Sequence, residues 1–136
     1  MSRGYLLVQA EGTSYGLPLG QVLQVGDLGA VLEVPRVLPA MRGLTQHGDH
    51  LVPLVHLAAL LADRTPPDER GRASVIVDLG GKRVVALEVD DAYEVVRDPV
   101  LPVPPGESLP WASGVARREG RLVPILDWNA LEERIR

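Results

Sequence analysis

Short apolar runs, separated by Gly, Pro and Asp, follow one another along most of the chain. They are rich in Val, Leu and Ile, which is typical of strands in a β-barrel or sandwich. The runs predict strands at residues 5–10, 15–19, 51–55, 74–79, 83–89 and 121–126. Only residues 55–62 and 127–135 favour short helices, the second behind an Asp or Asn cap. The pattern therefore predicts an all-β fold.

The chain also repeats itself at a distance of about half its length. Pro53 and Pro124 are 71 residues apart, and the same distance separates Gly43 from Gly114. Upstream, Leu17, Leu19, Val22 and Val25 align with Leu87, Val89, Ala92 and Val95 at a distance of 70, and residues 6–8 align with 75–77 at 69. One unit therefore occurs twice, and two small units should pack together.

Glycine and proline add two local predictions. Gly80 and Gly81 join two apolar runs, which predicts a tight hairpin turn with positive φ. Pro53 and Pro124 each stand inside a Leu-Val-Pro run. Because proline cannot donate to a sheet ladder, both of these strands are expected at sheet edges. The polar segment 64–71 is interpreted as a linker.

Composition narrows the class of protein. The chain has 136 residues and no cysteine, which excludes disulfides and thiolate metal sites. Its net charge of -4 with interspersed signs offers no basic stripe for nucleic acid. No apolar run is long enough to cross a bilayer, and residues 1–15 lack a signal-peptide pattern. A cytoplasmic protein without membrane insertion is expected.

The ordered motifs resemble those of CheW-like adaptor proteins from bacterial chemosensory pathways, over nearly the whole chain. The matching stretches are residues 5–8, 15–19, 34–35, 41–44, 51–55, 84–90, 114–116 and 121–127. The resemblance implies two intertwined, five-stranded SH3-like barrels, with short helices after the Leu-Val-Pro strands. It divides one domain, 1–136, into a first subdomain of about 16–72 and a second of about 4–15 plus 73–132.

The resemblance also implies a function without catalysis or cofactors. Family members bind the regulatory domain of a CheA-like histidine kinase and the hairpin tip of a helical chemoreceptor, in chemotaxis or twitching motility. The receptor is held in the groove between the barrels, near the positions of Leu6, Leu19, Val22, Val25, Ala92 and Tyr93. The same residues would also suit a hydrophobic core, and Gly43 is expected to serve backbone conformation.

Two positions depart from the family pattern. Gln24 stands where members usually carry Glu, and the loop arginine is replaced by Gly48, or by His47 if the register shifts by one residue. Because an acid and a base are both missing, Gln24 and His47 are predicted to lie within side-chain reach at the surface of the first barrel. Both belong to the predicted partner-binding set.

Other functions have weaker support in the residues. The histidines at 47, 50 and 56 lack the helical spacing of strong zinc motifs, so no metal is expected. The carboxylates Asp78, Glu88, Asp90 and Asp91 are expected to face solvent. Two alternatives to the receptor–kinase adaptor stay open: a kinase-binding module without a standard chemoreceptor partner, and a small-molecule-binding barrel. The sequence does not identify the pathway or the oligomeric state.

Overall fold

The computed structural model describes residues 4–81, 83–104 and 109–135. These residues form strands, two short α-helices and one 3-10 helix (Leu19–Gln21), which confirms the predicted all-β class. The elements are β1 (Tyr5–Ala10), β2 (Thr13–Pro18), β3 (Val22–Asp27), β4 (Val31–Leu32), β5 (Met41–His47), β6 (His50–His56), α1 (Leu57–Leu61), β7 (Ala73–Asp78), β8 (Val84–Val89), β9 (Asp91–Val96), β10 (Val100–Leu101), β11 (Ala112–Arg118), β12 (Arg121–Leu126) and α2 (Trp128–Ile135).

The strands form two sheets of six. The first sheet has the order β10-β11-β12-β2-β1-β9, and the second has the order β4-β5-β6-β8-β7-β3. The resemblance implied five strands in each half. Each sheet has a sixth strand of two residues, which is β10 in the first sheet and β4 in the second. No backbone ladder among the described residues joins the two ends of either sheet.

The predicted repeat is confirmed by strand order and register. Each strand of the second sheet has a repeat equivalent in the first: β4 corresponds to β10, β5 to β11, β6 to β12, β8 to β2, β7 to β1 and β3 to β9. With these equivalents, the two sheets have the same strand order. Leu44 pairs with Pro53, and Val115 pairs with Pro124 at the equivalent place. A register shift precedes both pairs, between Met41 and Gly43 and between Ala112 and Gly114. The chain therefore contains two copies of one supersecondary unit.

The two copies exchange their hairpins. The β1–β2 hairpin pairs with β9 and β12 of the second copy, and the β7–β8 hairpin pairs with β3 and β6 of the first. By pairing, the first sheet uses residues 5–18 and 91–126, and the second uses residues 22–89. The chain thus passes from one sheet to the other near residues 19–21 and again near residue 90. The expected subdomains divide the chain near residues 15 and 72.

The prediction that both Leu-Val-Pro strands lie at sheet edges is wrong. β6 lies between β5 and β8, and β12 lies between β11 and β2. The parallel pairing of β6 with β8 starts at Leu54, and that of β12 with β2 involves Ile125. Each proline therefore precedes the second ladder and has a paired residue on one side only. Such a position can accommodate a proline, because its nitrogen can face the side that has no paired residue.

The largest hydrophobic core lies between the sheets. It contains Leu6 and Val8 from the first sheet, Val75 and Val77 from the second, and Leu131 from α2. Tyr5 and Leu7 point to the other side of β1 and pack with residues of β11 and β12. Both faces of β1 are consequently buried, which explains why residues 5–8 are continuously apolar instead of alternating.

The glycine turn and the starts of the two α-helices lie close to their predicted positions. Gly80 and Gly81 have φ values of 95° and 58°, as the hairpin prediction requires. The connection is longer than two residues, since β7 ends at Asp78 and β8 begins at Val84, and Lys82 lies outside the described residues. α2 begins after Asp127, whose carboxylate accepts a hydrogen bond from Asn129 N. α1 begins at Leu57, two residues later than expected.

Candidate partner-binding surface

An apolar surface, here called the apolar margin, lies where the edge strands of both sheets meet the central core. It consists of Leu19, Val22, Val25, Ala92 and Val95. Residues that are paired across neighbouring strands share a face of the sheet. Four margin residues are paired with residues of the central core, so they lie on the core side of their sheets. The pairs are Val22 with Val77, Val25 with Val75, Ala92 with Val8 and Val95 with Leu6.

The members of the margin differ in exposure. Leu19, Val22 and Ala92 are half-buried and pack against the central core. Val25 and Val95 are 42% and 50% exposed. A Cβ placed on Gly4 would lie 2.9 Å from Leu19 Cδ1 and 3.2 Å from Val95 Cγ1, so these two margin residues lie close to each other. β3 and β9 each have a single neighbouring strand.

The predicted site residues fall into three places. Leu6 is buried in the central core and presents no surface. Leu19, Val22, Val25 and Ala92 belong to the apolar margin. The remaining predicted site residues, Gln24, His47 and Tyr93, line clefts at the ends of the sheets.

The cleft at the end of the first sheet, here called the first mouth, has a volume of about 620 Å³. Tyr93 lines it, and the Tyr93 hydroxyl lies 3.4 Å from Ser14 Oγ. Arg118 from β11 also lines it and donates hydrogen bonds to Glu94 Oε1 at 3.0 Å and to Asp98 Oδ2 at 3.2 Å. These two hydrogen bonds raise the pKa of Arg118. The pairs connect β11 to the β9 edge of the same sheet.

The second mouth is the equivalent cleft of the second sheet, with a volume of about 350 Å³. Gln24 and His47 both line it, and their lying within side-chain reach of each other stays a prediction. None of the hydrogen bonds found among the described residues joins them. His47 pairs with His50 at the end of the β5–β6 hairpin, and Gly48 and Asp49 form its turn.

The repeat relates the two mouths residue by residue. Gln24 pairs with Ile76 in β7, and Glu94 pairs with Leu7 in β1. His47 corresponds to Arg118, because each is the last paired residue of an equivalent hairpin. The first copy thus has an amide and an imidazole where the second has a carboxylate and a guanidinium.

Sequence reasoning missed the residues of the second copy that matter most. Val95, Glu94 and Arg118 were absent from the predicted site, as was Leu23. Leu23 and Tyr93 are equivalent residues at register shifts of β3 and β9, and they are 52% and 48% exposed. The repeat distances would have identified them: 70 residues for Val25 and Val95, and 71 residues for His47 and Arg118.

The histidines do not form one group. His47 and His50 lie at the β5–β6 hairpin, whereas His56 is buried at the start of α1 and its Nδ1 accepts a hydrogen bond from Ala59 N. Burial lowers the pKa of His56, and the Glu88 carboxylate opposes this effect. Among the described residues, no three His, Asp or Glu side chains are grouped as metal ligands.

One carboxylate departs from the expectation that these groups face solvent. Glu88 is fully buried. Arg42 Nε and Gly71 N donate hydrogen bonds to its two oxygens, so the buried carboxylate is not left without partners. Asp90 Oδ2 accepts a hydrogen bond from Glu11 N at 2.7 Å, and Asp78 Oδ1 accepts one from Gly80 N at 2.8 Å. Those two carboxylates support turns.

Comparison with known proteins identifies the family to which the chain belongs. The sequence model of the CheW-like domain matches residues 4–135, so the chain belongs to the CheW-like domain family. Its fold is similar to the crystal structure of scaffolding protein TtCheW from Thermoanaerobacter tengcongensis. The TM-score is 0.78 at 17% sequence identity, and the match covers 93% of this chain and 90% of that one.

No curated protein sequence matches the chain significantly. Neither of the helices in the described part of the chain is long and apolar enough to span a membrane.

Proposed function

We propose that this chain is a non-catalytic adaptor that couples chemoreceptors to a CheA-like histidine kinase in the cytoplasm of a bacterium. Membership in the CheW-like domain family supports an adaptor in chemotaxis or a parallel chemosensory pathway. The similar fold of TtCheW, which is described as a scaffolding protein, supports the same role.

The apolar margin is the observation that carries the proposal. Val25 and Val95 are exposed although they lie on the core-facing sides of their sheets. An amphipathic helix can bind by packing its apolar face against an exposed apolar surface. The hairpin tip of a chemoreceptor is helical, so it is the partner that we assign to Leu19, Val22, Val25, Ala92 and Val95.

A charge placed in the margin tests this assignment. Val25→Lys should weaken binding to receptor-bearing membranes by more than about 1 kcal/mol, because the lysine would have to be desolvated against an apolar helix face. Val37→Lys is the matched control, since Val37 is 82% exposed and lies outside the margin. Co-sedimentation with the membranes measures both variants. Equal binding by the two variants would contradict the assignment.

A kinase-binding module without a standard chemoreceptor is the second candidate. It is favoured by Gln24 and His47, which stand in the second mouth at the positions where the family pattern has a Glu and an Arg. Co-sedimentation with and without the kinase separates the candidates. The coupling adaptor binds receptor membranes in the absence of kinase, whereas the module sediments only when the kinase bridges it to them.

A further inference from the structure

The two sheets differ in how they fill the face that is turned away from the central core. On this face, here called the far face, Tyr5 and Val96 belong to one buried apolar cluster of the first sheet. Tyr5 is paired with Val96 in β9, and Ser74 is paired with Gly26 in β3 at the equivalent place of the second sheet. The second sheet thus has a hydroxymethyl group and a hydrogen atom where the first has a phenol and an isopropyl group.

The second mouth opens beside these smaller residues. Gly26, Ser74 and Ile76 line the cleft of about 350 Å³, and all three lie on the far face of β3 and β7. Ile76 belongs to the small apolar cluster of this face and Leu28 packs against it, so the face is filled in part. A Cβ added to Gly26 would meet no atom within 4 Å. The cleft therefore has open space next to Ser74.

The Ser74 hydroxyl is a buried polar group that borders this space. Ser74 is 8% exposed and lines the cleft. No hydrogen bond to its Oγ is found among residues 4–81, 83–104 and 109–135. Thr45 in the same cleft, in contrast, already donates its hydroxyl to Ala30 O at 3.0 Å. Because buried hydroxyls in folded proteins usually have a hydrogen-bond partner, the Ser74 hydroxyl is available to a group that enters the cleft.

The charges around the cleft favour a neutral occupant. Glu88 is paired with Ser74, but both of its oxygens already accept hydrogen bonds, one of them from Arg42. Asp27 lies on the core-facing side of β3, because it is paired with Ala73. Among the described residues, no Lys or Arg lines the second mouth. A charged group would lose its hydration on entering and would gain no Lys, Arg or free carboxylate as a partner.

We propose that the second mouth binds a tyrosine side chain of a protein partner, with the tyrosine hydroxyl bonded to Ser74 Oγ. Tyrosine combines an apolar ring with a hydroxyl that usually finds a hydrogen-bond partner when it is buried. The ring packs against Ile76 and over Gly26, and the hydroxyl pairs with that of Ser74. This contact goes beyond the adaptor assignment, because it concerns a second surface and does not depend on the apolar margin.

The first sheet provides the internal example for this occupant. Tyr5 fills the far face there, and a Cβ on Gly16 would lie 2.8 Å from Tyr5 Cδ2, so the ring lies directly over that glycine. Ala86 takes the place of Gly16 in the second sheet. Its methyl group keeps the ring of a partner away from β8. The ring therefore lies nearer to β3, where Gly26 leaves the space.

A titration of the full-length protein tests the proposal. The probe is N-acetyl-tyrosinamide at pH 7.5, and the readout is the amide NMR shifts of Gly26, Thr45 and Ser74. We expect saturable shifts with a millimolar dissociation constant, as befits a single side chain. The corresponding amides of phenylalanine, leucine and arginine should each bind at least several-fold more weakly.

Variants connect the binding to the cleft. Gly26→Val should abolish it, because the added side chain, which the first sheet has as Val96, would fill the open space. Gly20→Val is the matched control, since an added Cβ at Gly20 also meets no atom within 4 Å but Gly20 lies outside the cleft. Ser74→Ala should weaken binding of the tyrosine amide several-fold and leave that of the phenylalanine amide unchanged. Ser14→Ala, at a serine of the first mouth, should change neither.

The outcomes are distinct. Shifts that do not saturate, or that Gly26→Val leaves unchanged, would overturn the proposal. Equal binding of the leucine amide would overturn the preference for an aromatic ring. Equal binding of the phenylalanine amide, or tyrosine binding that Ser74→Ala leaves unchanged, would overturn the contact with Ser74. If Gly26→Val disturbs the fold, the effect of Ser74→Ala on the two aromatic amides decides the question. Loss of receptor binding by Val25→Lys together with normal binding of the tyrosine amide would show that the two surfaces act separately.

Discussion

Arg42 and Glu88 form a buried ion pair in the second sheet, with Arg42 Nε 2.6 Å from Glu88 Oε1 and side-chain exposures of 10% and 0%. Gly71 N donates to the other carboxylate oxygen at 2.6 Å. Arg42 also donates to Glu69 O at 3.3 Å. The predicted linker 64–71 is therefore fixed to β5 and β8 at its end, and both Glu88 oxygens have donors that offset the cost of burying the charge.

Removing the arginine should leave Glu88 as an uncompensated buried charge. Arg42→Leu is expected to lower the free energy of unfolding by roughly 3 kcal/mol or more, measured by urea denaturation. Arg36→Leu, at an exposed position nearby, should change it by less than about 0.5 kcal/mol. The double variant Arg42→Leu/Glu88→Leu should be more stable than Arg42→Leu alone. If the two single variants are equally stable, the buried pair does not stabilise the fold.

His56 should make stability depend on pH. Burial holds the pKa of His56 below its ordinary value, so the folded protein keeps the imidazole neutral when the unfolded chain takes up a proton. Stability from this group is complete above about pH 6.5, the ordinary histidine pKa, and is lost as the pH falls from there towards the lowered pKa. Protonation would also remove the Nδ1 acceptor that caps α1.

A variant that caps the helix without titrating isolates this effect. His56→Asn keeps a side-chain acceptor at the N-cap but carries no proton in this pH range. Urea denaturation at pH 7.5 and pH 5.0 should show a larger loss of stability for the parent than for His56→Asn. Carboxylates remote from His56 contribute equally to both proteins. An identical pH dependence would mean that His56 is not responsible.

Signals that depend on neighbours in the sequence were predicted well. β1 and β12 have the predicted bounds, and α2 starts behind its Asp127 cap. These elements rest on local apolar runs, turns and caps, which can be recognised from adjacent residues. The repeat gave the duplicated architecture for the same reason, since equal spacing is visible without knowing any contact.

Features that depend on distant partners were not predicted. Glu88 was expected to face solvent, because Arg42 is 46 residues away and no local pattern connects the two. Pro53 and Pro124 were assigned to edge strands, because the parallel neighbour that begins after each proline comes from the other copy. The exchange of hairpins explains both failures: the neighbours of a strand belong to the opposite half of the chain.

Gly43 and Gly114 should be equally intolerant of a side chain. Gly43 was expected to serve backbone conformation, but it is not among the glycines with positive φ. A Cβ at Gly43 would instead overlap the Leu32 carbonyl oxygen, and one at Gly114 would lie 2.5 Å from the Leu101 carbonyl oxygen. Gly43→Ala and Gly114→Ala should each destabilise the protein by about 1–3 kcal/mol, measured by urea denaturation.

A glycine with free space provides the control for this pair. Gly26 lies in β3, and an added Cβ would meet no atom within 4 Å. Gly26→Ala should therefore change the free energy of unfolding by less than about 0.5 kcal/mol. A tolerated alanine at Gly43 or Gly114 would show that β4 or β10 can move away from the glycine.

The exchange of hairpins predicts that the two halves of the chain depend on each other for folding. The first sheet needs β1 and β2 from one half and β9 to β12 from the other, and the central core takes residues from both. Fragments 1–65 and 66–136, separated at the exposed Thr65, should each lack a native circular dichroism spectrum and expose apolar surface. Mixed at equal concentration, they should assemble into a 1:1 complex with the spectrum and size of the intact chain.

Cutting the chain elsewhere supplies the control: fragments 1–48 and 49–136, divided inside the β5–β6 hairpin, should assemble less well, because the cut separates two directly paired strands. Size-exclusion chromatography and circular dichroism measure assembly in both cases. Two halves that fold separately as monomers, with no change on mixing, would contradict the exchange.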